Sequence, residues 1–438
     1  MKNKIAVLGA GIAGISAAYH LKQKLNDDEI IIFEKESSWG GLCGGFYLDS
    51  PKGKFWFDNC VHLSFSDDDY VNQIFLKSTP PIIHIPDMNN YYQGLWIKHP
   101  AQNNLYPLPI EEKINIIKDM VQNNNKKQNL KNFEEWLKAQ YGNYFTEKFS
   151  SQYTQKYWTT HPKNLTTHWI SNRLYTPGIE EILYGSMCED TPNTYYIKEQ
   201  KYPKCGQYRS FLKNLVKKCS IKYHHQVTKI DTKNKILYFK QKDPYQYNTL
   251  ISSLPLPKII KLFDPPPPSS IQKSGSKLCA TSVAIISLGF NKPDIAKRLW
   301  FYVYDSDIPF ARVHSPSKKS PANAPKNCSS LQVEIYFSKY RSLEEITQKQ
   351  TQEIPNFLVR DTIKNFIKMG ICKQEDIIAK DFRILPYANV IFDKSLQLHR
   401  KKVLQYLKNS EIHSIGRFGK WDYLWSDQSF LSGKNLII

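Results

Sequence analysis

Near its start the chain carries IAVLGAGIAGISAAYHL, followed closely by EIIIFEK. This is a short apolar run, a turn holding Gly9, Gly11 and Gly14, a helical pattern with Ala and Leu on one face, and a second apolar run ending at Glu34. The spacing predicts strand, tight turn, helix, strand. In such a unit the first glycine makes the turn and the second lets the backbone approach a pyrophosphate at the helix N-terminus. The third lets helix and strand pack closely, and an acid closing the second strand takes ribose hydroxyls. A βαβ nucleotide-binding unit therefore has to be part of the fold, and the expected class is α/β. The basic-then-apolar start mimics a signal peptide, but the glycines account for it better, so it is read as mature sequence.

A chain of 438 residues exceeds what one core usually serves, so further domains are expected around that unit. An apolar fraction of 41% with 13% aromatics is enough to fill them, which excludes a disordered chain. No run of about eighteen apolar residues occurs, so no transmembrane segment is expected. The eight cysteines are scattered without a C-x-x-C, which fits reduced thiols in a cytoplasmic enzyme. The formal charge of +20 favours an anionic partner. Its lysines are spread along the chain in short clusters such as Lys126-Lys127, Lys217-Lys218 and Lys318-Lys319, without the stripe a duplex needs, so no nucleic acid is expected. A homo-oligomer is left open.

Directly after Glu34 comes a second glycine-rich segment, KESSWGGLCGGF, with Gly40, Gly41, Gly44 and Gly45. Nucleotide domains of NAD dehydrogenases do not ordinarily place one there. Further on, HHQVTKIDTKNKILYF (224–239) has the pattern of a β-ribbon and YNTLISSLP (247–255) that of a returning strand. SIGRFGKWDYLWSDQSFLSG (414–433) has a strand ending in Gly-Arg and a later Asp opening a helix. Together these resemble the large FAD-binding family that contains amine oxidases, protoporphyrinogen oxidase and UDP-galactopyranose mutase. The resemblance implies a Rossmann-type FAD-binding domain with a helical insertion and a second, sheet-containing substrate domain. The FAD-binding part would be discontinuous (1–75, 200–263 and 380–438), with a helical substrate domain at 76–199 and a mixed sheet/helix substrate domain at 270–379. IEEKINIIKDMVQ and NFEEWLKAQYG supply helical patterns, and DPPPPSS (264–270) reads as a stiff linker. The cofactor would be held by Gly9, Gly11, Gly14, Glu34, Lys35, Gly41, Leu42, Val227, Gly416, Arg417, Asp427, Gln428 and Ser429, with Val227 near the adenine.

The stretch YTQKYWTTHPKNLTTHWISNRL (153–174) is too irregular for one amphipathic helix. It resembles the YT-x-K-x-W segment of UDP-galactopyranose mutases, with Tyr153, Thr154, Lys156 and Trp158 in register and Arg173 following. FARVHSP supplies Arg312, ILPYANVIFD supplies Tyr387, and DNCVHLSF supplies His62, with Phe65 where the mutases have a second histidine. By resemblance Trp158 lies near the flavin, while Arg173, Arg312 and Tyr387 hold the diphosphate of a nucleoside-diphosphate sugar, UDP-linked in the mutases. The activity implied is pyranose–furanose interconversion with reduced FAD, maintained by a flavin reductant. The WDYLWSDQS ending is similar to mutase-like flavoproteins of bacterial surface-polysaccharide gene clusters. The second expectation is an FAD-dependent oxidoreductase of the amine oxidase or protoporphyrinogen oxidase kind, with Lys98 or Lys277 near the flavin. Asp67-Asp68-Asp69 reads as a helix N-terminus and not a metal site.

Overall fold

A computed structural model describes residues 3–25, 29–123, 130–170, 173–193, 197–295 and 297–438; the Lys126-Lys127 cluster lies outside them. The predicted strand–turn–helix–strand is Lys4–Leu8, a glycine turn, Ile12–Lys24 and Glu29–Phe33. The first strand sits in the middle of a five-stranded, all-parallel sheet. On one side it pairs with Thr249–Ser252 and then Ile412–Ser414; on the other with Glu29–Phe33 and then Ser220–Lys222. IAVL is fully buried, as a central parallel strand covered on both faces must be. The fold class is α/β.

The ribbon expected over 224–239 is a four-stranded sheet of Lys242–Gln246, Ile236–Phe239, Val227–Asp231 and Phe263–Asp264. The chain's final helix, Ser426–Lys434, lies across helix Ile12–Lys24, and Ser16 Oγ donates to the Phe430 carbonyl at 2.7 Å. At their crossing a methyl group on Gly433 would collide with the Ala13 carbonyl oxygen, so glycine sets how closely the helices approach. Asp68 caps helix Asp69–Ser78 by accepting from the Val71 N–H at 2.9 Å, the predicted helix start. Among the described residues no group of carboxylates, histidines and cysteines is placed to hold a metal.

A seven-stranded sheet forms the second layer: Ile377–Leu385, Ser282–Phe290, Ser329–Phe337, Arg312–His314, Trp300–Val303, Met88–Tyr92 and Leu95–Lys98. Three of its strands cross the expected boundaries. Met88–Tyr92 and Leu95–Lys98 lie inside the stretch expected to be helical, but Met88–Tyr92 pairs in parallel with Trp300–Val303. Ile377–Leu385 runs past 380 because it pairs along Val283–Phe290. Both pairings are non-local, so segment composition does not reveal them. Helices Ile110–Asn123, Phe133–Phe145 and Ile179–Met187 form the helical unit. No described helix is long and apolar enough to cross a membrane.

Candidate functional site

The glycine turn and its neighbours form one cradle of backbone. Gly9 has φ +97°, and a methyl group on Gly14 would collide with the Gly9 carbonyl oxygen, so each glycine does what its position predicts. The second glycine-rich segment folds over the first: Gly40 N–H donates to the Ala10 carbonyl at 2.8 Å, and a methyl on Gly41 would lie 3.3 Å from Gly11 Cα. Glu34 is buried and holds the turn, with Oε2 accepting from the Ala10 N–H at 2.7 Å and Oε1 from the Glu36 N–H at 3.0 Å. Each of its oxygens keeps further accepting capacity for a hydroxyl.

Gly11 differs from the other glycines of the cradle. A methyl group there meets nothing within 4 Å, so its position faces open space. It is the N-cap of helix Ile12–Lys24, which has no side-chain cap and no acid in its first turn. An uncapped helix N-terminus with room before it suits a pyrophosphate. The residues present therefore fit a dinucleotide cofactor on this observation alone.

At the other end of the chain, Gly416 has φ +73° and packs on Ala13. Arg417 donates to Asn389 Oδ1 at 2.6 Å and to the Leu424 carbonyl at 3.1 Å. Its Nε is buried and without a hydrogen-bond partner, as is Asn389 Nδ2. Asp427 stands in the first turn of helix Ser426–Lys434, Gln428 caps the Trp425 N–H at 2.9 Å, and Ser429 is buried. Val227 is buried at the start of its ribbon strand. The Lys35 side chain is half exposed and pairs with Glu36 at 2.7 Å.

Beside Arg417 and Leu42 lies a cavity of about 380 Å³. The irregular 153–174 stretch does line it. Helix Ser151–Tyr157 presents Tyr153 and Tyr157, the chain turns at Trp158 and at Thr159 (φ +59°), and Arg173 returns to the same wall. Trp158 is buried, edge-on to Tyr157 and packed against Trp169 and Tyr423 with ring centroids 5.0 and 5.3 Å away. Lys156 points away from the cavity, donating to the Val303 and Asp305 carbonyls at 2.9 and 2.7 Å, and burial pushes its ammonium down to about 7. Those bonds pin the helix to the strand that bears Tyr302.

Arg173 is held between aromatic faces, its guanidinium 4.0 Å from the Trp425 ring and 4.4 Å from that of Tyr423, and it donates to the Tyr423 carbonyl at 2.6 Å. Arg312 is paired inside the wall. Its Nε donates to Glu334 Oε2 at 2.7 Å and its terminal nitrogen to the Tyr336 hydroxyl at 3.0 Å; Tyr336 in turn donates to Glu334 at 2.7 Å. Glu334 is fully buried and also accepts from the Val61 N–H. This ion pair holds the Arg312 guanidinium well above its ordinary range despite burial. His62 lies at 5.1 Å from the Tyr208 ring and contacts the Cys60 carbonyl, and burial lowers its imidazole below the usual range. His99, also in the wall, is pushed down to about 3 by burial. Both histidines are therefore neutral near pH 7.

Tyr387 is not in this wall. Its ring packs against Phe418 and Trp421, at 5.8 and 6.1 Å, and the next two residues, Ala388 and Asn389, reach the cavity instead. Lys98 and Lys277 do not reach the cavity either: Lys98 donates to the Thr191 carbonyl and Lys277 is exposed at a helix end. The residue sequence reasoning missed is Glu334. The signal was present in SSLQVEIYF, where Gln332, Glu334 and Tyr336 alternate with apolar residues on one face, and the register sets Glu334 opposite Arg312.

The sequence profile of the family described as flavin containing amine oxidoreductase matches residues 12–345. Solved structures with a similar fold include a reduced UDP-galactopyranose mutase (21% identity, 99% of this chain and 94% of that chain, TM-score 0.88). A putrescine oxidase bound to putrescine is also similar (11%, 99% and 98%, TM-score 0.65). So is a CLA-producing fatty acid isomerase from P. acnes (12%, 99% and 97%, TM-score 0.63). At these identities the likeness concerns the fold, and the profile concerns the family. The glycine cradle, the open N-terminus at Gly11 and the profile agree that this chain belongs to the flavin containing amine oxidoreductase family.

Proposed function

We propose that this flavoprotein binds FAD and acts on a nucleoside-diphosphate sugar, interconverting its pyranose and furanose forms with the flavin in the reduced state. The observation that carries this reading is the charge of the cavity wall. The charged side chains that line it are Arg173, Arg312 and Arg417, with Glu334 buried behind Arg312 and His62 and His99 neutral, so the wall is net cationic. A cationic, aromatic-walled cavity attracts an anion that has flat or sugar-like faces, and arginine suits the bidentate grip on phosphate oxygens. Arg173 is the foremost candidate for the diphosphate, because Arg312 already spends its charge on Glu334. Trp158, Tyr157, Tyr302 and Tyr423 offer ring faces and hydroxyls to the sugar.

FAD would lie with its pyrophosphate at Gly11, Gly41 beside it, a ribose at Glu34, the adenine near Val227, and the ribityl chain over Gly416, Asp427, Gln428 and Ser429. When bound, its reduced ring supplies the nucleophilic chemistry that sugar-ring opening and reclosure need. The chain's own residues hold the leaving diphosphate and exclude water with an aromatic wall. The UDP moiety, a flavin reductant, a cytoplasmic site and a place in surface-polysaccharide synthesis belong to the same proposal.

An amine-oxidising reading is favoured by the aromatic rings, but a protonated amine would meet a wall of its own sign. A thermal-shift and calorimetric comparison tests this directly. UDP should stabilise the reduced, flavin-loaded protein, with an effect that shrinks as salt rises. If UDP and UDP-sugars leave the melting temperature unmoved while an aromatic amine raises it, the proposal fails.

A further inference from the structure

Gln200 breaks a rule that buried polar groups normally keep. It is fully buried on strand Gln200–Pro203, and among the described residues neither its amide oxygen nor its amide nitrogen has a hydrogen-bond partner. Whichever way round the amide is placed, one donor and one acceptor stay unmade. Such a group costs stability until something arrives to pair with it. The backbone holds it where it stands. Strand Gln200–Pro203 pairs with Pro81–His84, and Lys201 exchanges hydrogen bonds of 2.6 and 2.8 Å with Ser64. Gln200 lines the cavity, as do Leu63 and Phe65 on either side of Ser64.

The chemistry of the amide selects its partner. Arg417 Nε and Asn389 Nδ2, also orphaned in this wall, are donors only, whereas Gln200 offers a donor and an acceptor side by side on one plane. A phosphate oxygen would accept from the nitrogen but repel the oxygen, and an ammonium group would do the reverse. Two vicinal hydroxyls answer both, one accepting and the other donating. We propose that Gln200 binds a vicinal diol on the sugar ring of the nucleoside-diphosphate sugar, and so sets which sugars the cavity accepts. The edge of a pyrimidine base also offers a donor beside an acceptor, but Gln200 stands at the cofactor end. From it the chain runs into Gln207, whose amide donates to the Phe46 carbonyl at 2.9 Å beside Gly45, and into Tyr208, whose ring lies against His62. The sugar carries the reacting carbon, so the sugar is what lies there.

Because this rests on the sugar-nucleotide reading of the cavity, the test pairs UDP with UDP-galactose. Isothermal titration of the reduced, flavin-loaded full chain compares wild type with Gln200→Leu, which is apolar and of similar size. UDP lacks the sugar, so its dissociation constant should agree between the two proteins within about twofold. UDP-galactose should bind the variant at least about fivefold more weakly, the loss of two neutral hydrogen bonds. Without nucleotide, Gln200→Leu should melt about 1–3 °C above wild type, since it removes an unmet donor and acceptor. Gln200→Met should behave in the same way. A variant that melts below wild type has lost a paired, structural amide, and that result overturns the proposal. So does an equal loss of UDP and UDP-galactose affinity, which would place the base at Gln200, or no loss of either. UDP that fails to bind wild type at all overturns the function proposed above, and this inference with it.

Discussion

The two ends of the candidate site are built in opposite ways. The nucleotide end is made of backbone: Gly9, Gly11, Gly14, Gly40 and Gly41 come close together, and what matters is the side chains they lack. The cavity end is made of side chains drawn from distant segments, with Trp158, Arg173, Arg312, Arg417 and Tyr423 each set by its neighbours and Glu334 holding Arg312 from behind. Adding atoms damages the first and removing them damages the second. That contrast can be broken or sharpened by substitution.

The largest effect is expected inside the wall. Glu334→Ala leaves the Arg312 guanidinium buried without its carboxylate, and losing one partner of a buried pair costs about 3–5 kcal/mol. Chemical denaturation should show that loss in the protein without any added ligand. If Glu334→Ala matches wild type, the pair is not holding the wall.

At the nucleotide end, Gly11→Val should lower flavin occupancy at least about a hundredfold, since its side chain enters the space left for a pyrophosphate. The melting temperature of the flavin-free protein should barely move, because nothing is met there. Gly14→Ala should do the reverse, destabilising the fold itself by about 1–3 kcal/mol through overpacking against Gly9. Visible absorbance reports the first and thermal melting the second. Equal effects on both readouts for both variants would remove the distinction between a cradle and a packing contact.

That pair of glycines also shows how far sequence reading carries. The turn, helix and strand were legible because backbone geometry at each glycine is a local requirement, written in adjacent residues. The 153–174 stretch was legible as a site because its irregularity and its Trp158 and Arg173 spacing followed a known pattern. Tyr387 was placed in the wall for the same reason that Glu334 was missed. Which face of a segment turns inward depends on strands and rings elsewhere: the register of Arg312 against Glu334, and the packing of Tyr387 on Phe418 and Trp421. The crossing of Met88–Tyr92 into the seven-stranded sheet was equally invisible, since its partner strand lies two hundred residues away in the chain.

Ligand affinity should follow Arg173 next. Arg173→Ala is expected to cost about 1.5–3 kcal/mol of UDP affinity, the range for hydrogen bonds to charged groups, with much less effect on flavin content. Isothermal titration at two salt concentrations separates this from a folding defect.

A smaller, graded effect comes from pH. His62, His99 and His314 are all held below the ordinary imidazole range by burial, so the unfolded chain takes up their protons first. Stability is therefore complete above about pH 6.5 and falls as pH drops below it, continuing toward about 3 for His99. His99→Gln should flatten the acid limb of the stability curve. A limb of unchanged slope would show that His99 is not buried neutral. The smallest effect belongs to a residue outside the cavity wall: Tyr387→Phe should change flavin content and UDP affinity by less than about 0.5 kcal/mol.

The central claim is that an anionic sugar nucleotide is rearranged here without net oxidation. Anaerobic protein, reduced once with dithionite and supplied with a UDP-sugar, tests it by electron count. The account predicts many turnovers of pyranose to furanose per reduction, silence from the oxidised protein, and no acceptor consumed. Steady oxygen uptake by the oxidised protein with product formed one for one, and no turnover after reduction, would contradict it.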